Sequence, residues 1–140
     1  MDFVQTQAIL THRAVLAMLN AAVAEAEAMG QPQCVVIVDA SGELLGEIRM
    51  TGARFLSRKS ARAKALTAAS IGAPSQNIPE VVRPAIAAAS GGAVTGLQGG
   101  LPIRIGGVLL GGIGVGSGSG AQDAQVAEAA LRAVGADIPA

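Results

Sequence analysis

The chain has 140 residues, enough for one domain that buries roughly two thirds of its unfolded surface. Half of it is hydrophobic but only 1% is aromatic, so alanine, valine, isoleucine and leucine must fill the core, which favours close packing of helices on a sheet. Ten basic and ten acidic residues cancel, which argues against a nucleic-acid or anionic-membrane partner, and the single Cys34 excludes an intrachain disulfide.

Thr11 reads as the N-cap of a long first helix that ends near Gly30-Gln31-Pro32, with Leu16, Leu19, Val23 and Ala26 as its apolar stripe. His12, the only histidine, falls on that stripe in the first turn, where the helix end disfavours a charged ring; a neutral, partly buried histidine is expected. The segment Cys34–Met50 reads as a hairpin: two strand-like runs flank the turn residues Asp39-Ala40-Ser41-Gly42, and Val35–Val38 is apolar on both faces. Ser57–Ile71 is helical in pattern and stops at Gly72-Ala73-Pro74. A further helix is predicted over Ile78–Ala89, with Pro84 disturbing its middle. Ile103-Arg104-Ile105 and Val108-Leu109-Leu110 flank Gly106-Gly107, a two-residue hairpin turn. Ser119-Gly120-Ala121-Gln122 is a capping box opening a last helix to about Val134. The order implies an α+β fold of residues 1–140: a central antiparallel sheet of about five strands with two hairpins, covered by helices on both faces in a profilin-like sandwich.

The glycines carry no nucleotide motif. The run 112, 114, 116, 118, 120 has a period of two, and no Gly-x-Gly-x-x-Gly or Gly-Lys-Ser/Thr occurs. A period of two puts glycines on one face of an extended strand, where either a helix packs closely or a flat ligand lies. Metal-site spacing is absent, so no metal ligands are expected, and no histidine is placed to serve a serine nucleophile.

Six of the ten basic residues fall between Arg49 and Lys64, with no acid from Ile48 through Pro79. Arg54, Arg58 and Arg62 read as a solvated helix face. Lys64 lies roughly 160° from the centre of that face, among small residues, so it either snorkels to an edge or points into a cavity. A desolvated lysine needs a partner or an anion, and Arg49 could reach the same anion.

Several stretches, taken in order, resemble the GlcG/HbpS-like family of small α/β proteins. They are Leu10-Thr11 with the alanine-rich helix, Val36–Leu44, Arg49-Met50, Lys64-Ala65 with Thr67-Ala68, Gly99-Gly100-Leu101-Pro102, Gly111-Gly112-Ile113-Gly114-Val115 and Gln122-Asp123. The resemblance implies homo-oligomers, haem binding or haem-related protection in some members, and catabolic operons in others. Together with the helix geometry it places a ligand pocket at Arg49, Lys64, Thr67, Gly99 and Gly100. Thr51 and Ala124 stand where the family commonly carries acids, which removes carboxylates a metal site would use. Haem prefers aromatic walls and a His, Met, Cys or Tyr ligand, and the chain has no Tyr or Trp.

Three readings stay open. The first is a binding protein for a planar or carboxylate-bearing anion, haem among them. The second is an enzyme of enolisable or α-keto acids, with Lys64 as the candidate catalytic proton carrier if burial lowers its pKa. The third is a structural subunit whose glycine face is an oligomer contact. With no basic and apolar leader in the first residues and no apolar run long enough to span a membrane, a cytoplasmic homo-oligomer is expected.

Overall fold

A computed structural model describes residues 2–140. Helix α1 (His12–Ala28) leads into strands β1 (Cys34–Asp39) and β2 (Leu44–Arg49), followed by α2 (Ser57–Ile71). Two short 3-10 turns, 75–77 and 80–82, precede α3 (Arg83–Ala89). Strands β3 (Gly100–Ile105) and β4 (Val108–Gly116) and helix α4 (Gly120–Ala133) complete the order. The sheet is antiparallel throughout, in the order β2-β1-β4-β3. It has four strands rather than about five: the glycine-alternating run is the second half of the nine-residue β4, not a strand of its own.

Both hairpins form. At the first turn the Asp39 carboxylate accepts the N–H groups of Ser41 and Glu43 at 2.9 and 3.0 Å. Partial burial pushes the Asp39 carboxyl up, but these bonds outweigh it and hold the group below its ordinary range. At the second turn Gly106 and Gly107 have φ of +59° and +80°, the pair of left-handed residues a type I′ turn requires. Replacing both by valine is expected to cost on the order of 1–3 kcal/mol at each position. An unchanged melting temperature in that double variant would contradict the turn.

The helices divide between the faces. α1 and α4 lie together over Val35, Ile37, Ile103 and Ile113, with Met18, Val126 and Leu131 filling the layer. α2 covers the other face, over Cys34, Val36 and Val38, and offers Ala61, Ala65 and Ala69 to that core, with Ala53 beside them and Leu66 partly buried at the margin. Burial there pushes the Cys34 thiol up from its ordinary pKa. The predicted caps are present: the Thr11 hydroxyl accepts from Ala14 N–H at 3.3 Å, and Ser119 and Gln122 form the full capping box.

Three local expectations need correction. The buried stripe of α1 is Val15, Met18, Ala22 and Ala26, one residue round from the one expected, and Leu16 is 58% exposed. The helix is apolar on most sides, so periodicity alone does not settle its orientation; its packing against α4 and the sheet, with Ala22 and Ala26 in the shared core, does. His12 turns with it and is exposed instead of partly buried. The helix predicted over residues 78–89 is a 3-10 turn followed by α3, and Pro84 sits in the first turn of α3, where its missing N–H has no partner to lose.

Candidate functional site

The glycine face of β4 is taken by a helix. A Cβ on Gly112 would run into the Ala65 carbonyl, and one on Gly114 into that of Ala61. One on Gly116 would come within 2.9 Å of the Ser57 carbonyl. The close approach is therefore by α2, and no flat ligand lies on this face. Gly118 and Gly120 fall beyond the strand, in the turn and at the start of α4.

That approach brings Lys64 to the C-terminal end of β4. Its ammonium donates to the Val115 carbonyl at 2.8 Å and to Asp123 Oδ2 at 2.9 Å, and both side chains are almost wholly buried. Asp123, in the first turn of α4, is thus the partner of Lys64, 59 residues away. Its other oxygen accepts Gly118 N–H at 3.0 Å, a donor shared with Gln33 Oε1 at 2.9 Å. The Gln33 Nε2 group is buried and has no partner among the described residues. Ser117 adopts φ +100°, a strained conformation for a side chain of its kind. Its hydroxyl donates to Ser57 Oγ at 2.9 Å and accepts Arg54 N–H at 3.0 Å, tying the turn after β4 to the segment that leads into α2.

Thr67, Gly99 and Gly100 stand behind the lysine. Thr67 donates to the Ala63 carbonyl at 2.7 Å and accepts Thr95 N–H at 3.0 Å, holding the 90–99 segment on α2. Gly99, at φ +125°, leaves room for the pair: a Cβ there would sit 3.1 Å from Lys64 Nζ. A Cβ on Gly100 would strike the Lys64 carbonyl. Lys64 itself reaches the wall of a cleft of about 260 Å³ that Arg54, Ser57, Ser60, Gln98 and Asp123 also line. A lysine ammonium has three donors and two are held, which leaves one N–H uncommitted at that wall.

Arg54, Ser57 and Ser60 continue into a second groove of about 530 Å³, bounded by Arg49, Phe55 and Leu56. Arg49 in turn borders a third groove, about 560 Å³, between α1 and β2, with Val23, Ala26, Ile48 and Met50 on its walls. The five residues singled out from sequence therefore divide. Lys64, Thr67, Gly99 and Gly100 form one cluster, while Arg49 stands apart at the join of the two larger grooves. Arg54, Phe55, Ser57 and Ser60 were not singled out as pocket residues. Phe55 and Leu56 are about 60% exposed beside unpaired arginines, a pattern that an acid-free, basic run with one aromatic does carry.

A single antiparallel sheet with one helix on one face and two on the other, closed at one end by a buried ion pair, defines a small α+β protein with adjoining surface grooves. Residues 10–132 match the family described as haem degrading protein HbpS-like, and the chain belongs to that family. It is similar to the structure of a PduOC–haem complex, with a TM-score of 0.87, 29% identity, and coverage of 95% of this chain and 100% of that one. It is also similar to a double mutant of Streptomyces reticuli HbpS, with a TM-score of 0.82, 33% identity, and coverage of 92% and 89%. The corrinoid adenosyltransferase PduO of Citrobacter freundii is 34% identical over 120 residues, 82% of this chain but 36% of PduO, so the chain spans about a third of that relative. No helix among the described residues is long and apolar enough to cross a membrane.

Proposed function

We propose that the protein binds a small carboxylate-bearing ligand, haem or another planar anion, along the adjoining grooves that Arg49 and Arg54 border. The observation that carries this reading is a set of arginines without carboxylate partners around apolar surface; Arg49 donates its Nε–H to the Ala53 carbonyl at 3.0 Å, which leaves its two terminal amino groups for a ligand. Arg49 and Arg54 have no carboxylate within ion-pair distance among the described residues, and exposed Phe55 and Leu56 lie between them. The only acid lining the groove and the cleft beside it is Asp123, and Lys64 already holds it. A ligand whose flat body covers Phe55 and Leu56 and whose carboxylates meet the guanidinium groups satisfies both features.

Haem is compatible with this surface. Iron takes His, Met, Cys or Tyr ligands; Met50 lines the α1–β2 groove, although its sulfur accepts Gln33 N–H at 3.4 Å. In that groove, as an alternative to the surface of Phe55 and Leu56, Met50 would supply a ligand to the iron, Val23, Ala26 and Ile48 apolar contact and Arg49 a partner for a carboxylate, with Glu27 as the one acid on its walls. His12 lines none of the three grooves. The PduOC–haem complex supports the choice of ligand.

Titration of the protein with hemin, followed by its Soret band and by calorimetry, is expected to saturate. Arg54→Gln and Arg49→Gln are each expected to weaken binding about tenfold, ~1.4 kcal/mol, with an unchanged melting temperature for Arg54→Gln and a small decrease for Arg49→Gln, which also loses the bond to the Ala53 carbonyl. No saturable signal, or equal affinity in the double variant, would overturn the reading.

A further inference from the structure

The cleft beside Lys64 differs in character from the two larger grooves. Its walls are polar, and Leu97 gives the only large apolar contact among the described residues. Its one acid, Asp123, has both oxygens engaged, Oδ2 by Lys64 and Oδ1 by Gly118 N–H, and the ammonium cancels its charge. The charge left on the walls is that of Arg54, which has no carboxylate within ion-pair distance among the described residues.

Three further donors stand beside that guanidinium. Lys64 is 4% exposed, and its bonds to Val115 and Asp123 fix the ammonium, so the third N–H keeps one direction at the cleft wall. Ser57 Oγ accepts from Ser117, which leaves its own proton without an acceptor among the described residues. The Gln98 amide lies against Gly120, where a Cβ would sit 2.7 Å from its Oε1. A donor as buried as the Lys64 N–H calls for an acceptor. Asp123 already neutralises the ammonium, so a neutral oxygen suits that N–H, and a full negative charge belongs at Arg54.

We propose that this cleft binds a short carboxylic acid with a hydroxyl or keto oxygen beside the carboxylate. The carboxylate meets Arg54 and the Ser57 hydroxyl, and the neighbouring oxygen accepts from Lys64. The volume of about 260 Å³ is that of roughly nine waters at ~30 Å³ each, room for an acid of about three or four carbons and far too little for a macrocycle. The site shares Arg54 with the ligand surface proposed above and is otherwise independent of it.

Proton–nitrogen amide spectra recorded during titration with racemic lactate are expected to show saturable shifts at Gly118 and Gly120, with millimolar affinity. Propionate, the same acid without the hydroxyl, leaves the Lys64 N–H unpaired and is expected to bind at least tenfold more weakly. Gln98→Glu keeps the size of an exposed side chain and adds a negative charge to the cleft wall. It is expected to weaken lactate binding at least tenfold and to leave the hemin titration unchanged, since Gln98 lines neither larger groove. A protein that binds lactate in this way but not hemin supports the cleft and overturns only the larger-ligand reading. No saturable shift at these amides, equal affinity for lactate and propionate, or a folded Gln98→Glu variant that binds lactate like wild type overturns the proposal.

Discussion

Lys64→Met is expected to lower folding stability by about 3–5 kcal/mol, measured by urea denaturation at neutral pH. Methionine keeps the length and apolar stem of the side chain, so little packing is lost. What remains is the Asp123 carboxylate, 2% exposed and deprived of its cation, with only the Gly118 N–H to hold it. An uncompensated buried charge is among the costliest defects a small domain can carry. Adding Asp123→Asn removes that charge and keeps an oxygen for Gly118, so the double variant is expected to recover at least half of the loss. A Lys64→Met protein as stable as wild type would show that the pair contributes nothing.

Gly114→Ala is the second large effect. The added methyl meets the Ala61 carbonyl, part of the α2 backbone, and no rotamer change relieves that clash. Sheet and helix must separate along their whole contact, for an expected loss of at least about 3 kcal/mol, the upper end for overpacking. Gly91→Ala is the control: its φ is +63° but nothing lies within 4 Å, so only left-handed strain remains, about 1–2 kcal/mol. Thermal melts of the two variants separate steric exclusion from conformational freedom. Equal losses would contradict the packing described for β4.

The fold was legible wherever a residue has one conformational use. Thr11, Gly106-Gly107 and the Ser119–Gln122 box each mark an end or a turn through their own backbone bonds, and each does so in the structure. Orientation was less legible where alanine dilutes the hydrophobic pattern, as the rotated stripe of α1 shows. At the site, Lys64 stood out because it broke the polarity of its helix. Its partner did not, because no sequence pattern links residues 59 apart and Asp123 already had a sufficient local role at a helix N-terminus. Arg54 was read as ordinary solvated surface and Phe55 was not singled out; only the groove they border distinguishes them.

Most helices rest on a sheet through a layer of side chains that can change rotamer and let the helix slide. α2 rests on β4 through glycine and alanine, carbonyl against α-carbon, so that layer is missing. The wall carrying Ser57, Ser60 and Lys64 is thereby part of the same rigid body as the sheet. A ligand docking there orders few groups beyond itself, and its affinity is spared much of the entropy loss a mobile wall would impose. Any adaptation to ligands of different shape falls to segments 50–56 and 90–98, which lie outside the helix–sheet contact.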